Sequence, residues 1–96
     1  MGIMTEEQAN EQMQRFFSKI AAGEMNHVSL RERGLLYTLI AMSSEKNVIG
    51  AVEDVLPDSK ECLRGHLRDL VDGGFVSLDP IDAGRQISRM HYVVNL

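Results

Sequence analysis

Leu56-Pro57-Asp58-Ser59-Lys60-Glu61-Cys62-Leu63-Arg64-Gly65-His66-Leu67-Arg68-Asp69-Leu70-Val71-Asp72-Gly73-Gly74-Phe75-Val76-Ser77-Leu78 is the stretch that decides the fold. Pro57 pushes Leu56 out of helical backbone, so one element ends there. Asp58 followed three residues later by Glu61 is a helix-start signature, with Asp58 at the N-cap and Glu61 at N3. Leu63, Leu67, Leu70 and Val71 recur at helical spacing and give the new helix a buried stripe as far as Asp72. Gly73-Gly74 stops it. Phe75 to Leu78 then reads as a strand.

Working outward, Gly50 to Leu56 reads as a short helix with Ala51, Val52, Val55 and Leu56 apolar. Two helices about the Pro57 turn make a helix-turn-helix. Downstream, Asp79-Pro80-Ile81-Asp82-Ala83-Gly84-Arg85-Gln86 is a turn-rich tip, and Ile87 to Leu96 reads as the returning strand of a hairpin. Upstream, Val48-Ile49 is a minimal strand after a polar loop over Ser43 to Asn47. Ser29 and Glu32 form a capping-box pattern that opens a helix rich in apolar residues: Leu30, Leu35, Leu36, Tyr37, Leu39, Ile40 and Met42. That density marks it as the central helix. Met25 to Val28 reads as extended. Thr5 to Ala22 is an amphipathic helix capped by Thr5, with Glu6 and Glu7 facing the positive end of its dipole, and Gly23 ends it. The expected fold is mainly α with a small β-hairpin, a winged helix-turn-helix with an extra N-terminal helix. Residues 1–24 form the N-terminal helix, a candidate dimerisation element, and residues 25–96 form the winged domain.

Three runs also carry a resemblance. They are Ser29-Leu30-Arg31-Glu32-Arg33-Gly34-Leu35-Leu36, Leu56-Pro57, and Leu63-Arg64-Gly65-His66-Leu67-Arg68-Asp69-Leu70-Val71-Asp72-Gly73-Gly74-Phe75-Val76. Through them the stretch from His27 to Val94 resembles a winged helix-turn-helix group of bacterial and phage proteins, of the actinobacterial type. The group's pattern in the last run is an aliphatic residue, Arg, two small residues, Leu, Arg, an acid and Leu. Two variable residues, a small residue, Gly, an aromatic and an aliphatic complete it. This chain departs from it at His66, where a small residue is usual. The resemblance implies DNA binding in transcription control or replication initiation.

Size and composition bound the function. Ninety-six residues, 44% hydrophobic and 25% charged, make one small globular domain. No apolar run approaches the roughly 20 residues that cross a bilayer. The N-terminus lacks the basic and apolar regions of a signal peptide. A single cysteine, Cys62, permits no internal disulfide. A cytoplasmic protein is expected, and its core is small enough that a homodimer would strengthen it. The net charge of −4 differs from the basic balance usual in nucleic-acid binders, so the placement of charge matters more than its sum.

Lys60, Arg64 and Arg68 are spaced four apart and form a basic line along the helix after Pro57. One helix fits the major groove, and Arg reads guanine bidentately, which singles out Arg64 for a base edge. Ser59, with free backbone N–H groups at the helix start, is placed for a phosphate. Gly65 costs about 1 kcal/mol relative to alanine in mid-helix. Close approach of DNA would offset that cost, although an exposed glycine can simply be tolerated. Arg85 at the wing tip and Arg89 on the returning strand are placed for the adjacent minor groove. All five basic residues after residue 54 belong to this helix or to the wing. A solvated face balanced by Glu61, Asp69 and Asp72 would give the same pattern.

The expected function is therefore sequence-specific binding of double-stranded DNA by a small dimeric transcription regulator. Met13, Phe16, Phe17 and Ile20 form a stripe that either pairs two subunits or packs on the monomer's own core. Residues 1–54 hold eight acids against five basic residues, which favours the alternative of a protein-docking module for the transcription or replication machinery. No catalytic constellation, phosphate loop or cofactor motif is present, and no enzyme is expected. Cys62 and His66 lie at i and i+4, but two ligands do not make a metal site, so no metal is expected. Glu53-Asp54 reads as ordinary surface charge.

Overall fold

A computed structural model describes residues 4–78 and 87–96. It is mainly helical. Helix α1 spans Glu6–Ala21, α2 Leu30–Met42, α3 Ile49–Val55 and α4 Lys60–Asp72. Strand β1 spans Val76–Leu78 and β2 Tyr92–Val94, with a 3-10 turn over Ile87–Arg89 between them.

The helix starts follow from local chemistry. Thr5 caps α1 by accepting from the Gln8 backbone N–H at 3.1 Å, and Gln8 Oε1 accepts from the Thr5 N–H at 2.9 Å, a complete capping box. Ser29 caps α2 by accepting from the Glu32 N–H at 3.2 Å. Glu32 does not reciprocate, and its carboxylate turns to α4 instead. The cap of α4 is Ser59, which accepts from the Cys62 N–H at 3.3 Å, and not Asp58. Both residues can serve as caps, but only Ser59 has the N3 amide in reach. Leu56 is extended (φ −103°, ψ 143°), as Pro57 requires. Gly74 adopts φ +83° just beyond α4, a left-handed value that glycine accepts without strain.

Strands β1 and β2 pair antiparallel, Val76 with Val94, Ser77 with Val93 and Leu78 with Tyr92. The expected strand over Val48-Ile49 reduces to one residue. Val48 bridges His91, the Ile49 N–H donates to the Met90 carbonyl at 3.0 Å and the Tyr92 N–H donates to the Asn47 carbonyl at 3.0 Å. The start of the returning segment is the 3-10 turn and not strand. There the Ser88 carbonyl lies against Gly50, where an added Cβ would come within 2.7 Å of it. Residues 25–28 form turns rather than extended chain. The Arg33 guanidinium holds them, donating to the carbonyls of Met25 (2.7 Å) and Val28 (3.0 Å).

One apolar core joins every element. Phe16 of α1, Leu35, Leu36, Leu39 and Ile40 of α2, Ile49 and Val52 of α3, Leu67 and Leu70 of α4, and Val76, Tyr92 and Val94 of the sheet belong to it. Helix α2 is central as expected, although Leu30 and Tyr37 point to solvent. The Tyr92 hydroxyl donates to the Leu39 carbonyl at 2.5 Å. Among the described residues, no helix is long and apolar enough to cross a membrane.

Candidate nucleic-acid interface

Helix α4 buries Leu63, Leu67 and Leu70 and turns its other side to water. Lys60, Gly65 and Arg68 are exposed, and Arg64 is intermediate. Among the described residues neither Lys60 nor Arg68 makes an ion pair. Arg64 does. Its Nε–H donates to Glu53 Oε2 at 3.2 Å, with the Arg64 side chain 40% exposed and that of Glu53 only 3%. The expectation that Glu53 is ordinary surface charge is corrected: it lies under α4, beside Leu35, Leu39, Ile49, Val52, Leu63 and Leu67. Its spacing held the signal, because Ile49, Val52, Glu53 and Leu56 stand at i, i+3, i+4 and i+7, which places Glu53 on the apolar face of α3.

The pair changes what Arg64 can offer. Its Nε edge is committed within the chain, leaving the Nη groups as its outward donors. Holding the guanidinium at one edge reduces the side-chain freedom that a bound partner would have to freeze. Ser59 Oγ is engaged as the α4 cap, so any phosphate contact there shares a hydroxyl already in use. Gly65 has nothing within 4 Å of an added Cβ, so among the described residues no packing requires a glycine there. Arg89 is exposed in the 3-10 turn and not on a strand. Arg85 lies outside the described residues.

The candidate dimer stripe divides. Phe16 is 3% exposed in the core, and Met13 and Ile20 pack partly buried against it. Only Phe17 faces solvent, at 54%, where its ring lies 6.4 Å from that of the exposed Tyr37. Three of the four residues thus serve the monomer's own packing.

Cys62 and His66 do not act together. The Arg31 guanidinium approaches Cys62 Sγ at 3.7 Å, and His66 Nδ1 lies 3.0 Å from Glu32 Oε2. Asp69, one turn along α4, completes a group of Glu32, His66 and Asp69 whose ligand atoms lie within 4.8 Å of one another. Sequence spacing could not reveal it, because Glu32 comes from α2 and its position matched a capping box.

Comparison of the chain with protein-family models, curated proteins and solved structures gives no match.

Proposed function

We propose that the chain is a small winged helix-turn-helix protein that binds double-stranded DNA, with α4 as its recognition helix and the β1–β2 hairpin as its wing. The order α3, turn, α4, hairpin supports the fold reading, as does the pairing of residues 47–49 with the returning segment. The single observation that carries the function is the state of the α4 line. Lys60 and Arg68 are exposed without acid partners among the described residues, and Arg64 between them is held by Glu53 with its outer donors available. Lys60 and Arg68 serve phosphates, Arg64 a base edge, and Arg89 the flank. In this reading the protein is a transcription regulator, and dimerisation on a palindromic site would leave Phe16 in its core and use Phe17.

The test is fluorescence anisotropy with duplexes selected from a random pool, at several salt concentrations. Phosphate contacts release counterions, so affinity should fall linearly with salt on logarithmic axes. Absence of salt-dependent binding would overturn the proposal. The net charge of −4 and the exposed Leu30 (81%) favour a second reading, docking on a protein, for which an affinity insensitive to salt is expected.

A further inference from the structure

We propose that Glu32, His66 and Asp69 form a divalent transition-metal site that links α2 to α4. The three groups offer one imidazole nitrogen and two carboxylates, a donor set that suits Zn2+ and its neighbours in the first transition row. Their ligand atoms lie within 4.8 Å of one another, whereas the edge of a tetrahedral zinc site with bonds near 2.1 Å is about 3.4 Å. Closing that difference requires a small movement, and Asp69 is exposed and free to make it.

Two features of the group, beside its geometry, favour a cation here. First, Glu32 gives up its local role. It sits at N3 of α2 beneath the Ser29 cap, yet its carboxylate faces His66 across the interhelical gap instead of the Ser29 amide. Both groups are partly withdrawn from water, with side chains 16% and 24% exposed. Second, among the described residues no fixed cation matches the charge of the group. Among the described residues no lysine or arginine pairs with Glu32 or Asp69, and the neighbouring Arg31 guanidinium turns to Cys62. Among the described residues, two carboxylates and a histidine converge without a lysine or arginine partner, and a divalent ion would supply the positive charge. With three protein ligands, the remaining coordination positions fall to water, so this is an open site. The inference does not depend on DNA binding.

The test is calorimetric titration of the chelator-treated full chain with ZnCl2, followed by Co2+ absorption spectra. One ion per chain is expected, with affinity reduced at least tenfold in both Asp69→Asn and His66→Gln. Cys62→Ser should bind as the wild type does, and the Co2+ complex should lack a thiolate charge-transfer band. Circular dichroism establishes that each variant is folded. Should His66→Gln fail to fold, Asp69→Asn decides, because Asp69 is exposed. Absence of saturable binding at about 1 mM Zn2+ would overturn the site, as would undiminished binding by Asp69→Asn. Loss of binding in Cys62→Ser would overturn it as well, in favour of a thiolate site.

Discussion

Arg64 Nε and Glu53 Oε2 are 3.2 Å apart, and they join the recognition-helix candidate to the helix before it. The other Glu53 oxygen, Oε1, is buried without a hydrogen-bond partner. Arg64 is therefore the one group that compensates this carboxylate among the described residues. A basic residue chosen from sequence for outward work also has inward work.

Removing Arg64 should cost stability as well as any affinity. A broken buried pair typically costs 3–5 kcal/mol. The 40% exposure of Arg64 lets water screen the pair and lowers the expectation for Arg64→Ala to about 1–2 kcal/mol. Urea denaturation measures it. The double variant Glu53→Leu/Arg64→Ala should recover most of the loss. If Arg64→Ala is as stable as the wild type, the carboxylate does not depend on Arg64.

Lys60 and Arg68 separate affinity from stability. Lys60→Ala and Arg68→Ala should each leave the urea midpoint unchanged, weaken binding to all duplexes to a similar degree and reduce the salt slope by about one. Anisotropy titrations that match wild type for both would remove α4 from the interface.

Two glycines should respond in opposite senses. Alanine at Gly50 would bring Cβ to 2.7 Å from the Ser88 carbonyl oxygen, which is backbone and cannot swing away. Gly50→Ala should cost about 1–3 kcal/mol despite its better helix propensity. Gly65→Ala meets nothing within 4 Å and should stabilise the chain by about 0.5–1 kcal/mol. If DNA approaches that face closely, the same variant should bind duplex more weakly. Thermal melts and anisotropy on the two variants check both statements.

Phe16 and Phe17 are adjacent but should not be equivalent. Phe16→Ala opens the core shared by α1 and α2 and should cost about 3 kcal/mol or more. Phe17→Ala removes an exposed ring and should cost well under 1 kcal/mol. Denaturation of the two variants tests this, and sedimentation of Phe17→Ala tests whether that ring pairs subunits.

Burial pushes the Tyr92 phenol upward from its ordinary value of 10.0. The folded state therefore keeps the proton longer than the unfolded state does. The stability this gives is complete below pH 10 and is lost as the pH rises above it toward the folded-state value. Denaturation between about pH 9 and 11 should show stability falling with pH, and Tyr92→Phe should remove that contribution. The phenylalanine variant should also cost about 1–2 kcal/mol at neutral pH, from the bond to the Leu39 carbonyl.

Local rules made most of the helices legible. The Thr5 and Ser29 caps, the Pro57 break and the Gly73-Gly74 stop each act over a few residues, and each places an element end close to where it is found. The misplacements concern contacts between distant residues. The strand expected from Ile87 begins as a 3-10 turn because Ser88 packs against Gly50. Glu53 reads as surface charge when paired with Asp54, although its place four residues after Ile49 puts it on the apolar face of α3, and α4 lying over that face completes its burial. Helical spacing places Arg68 on the outward face; the same spacing sets Lys60 near the edge of the buried stripe, whereas at the open first turn of α4 it is exposed. The commitment of Arg64 and the meeting of Glu32 with His66 depend on residue pairs 11 and 34 apart in sequence, on different helices.

The hydroxyl of Tyr92 reaches a carbonyl at the end of α2. The Ser43 N–H donates to Ile40 instead of Leu39, so a residue of β2 supplies Leu39 with a hydrogen bond. Opening the last turn of α2 therefore breaks a hydrogen bond to β2, which couples the stability of the two segments. Their amides should exchange with deuterium at a common rate, one cooperative unit built from segments 53 residues apart.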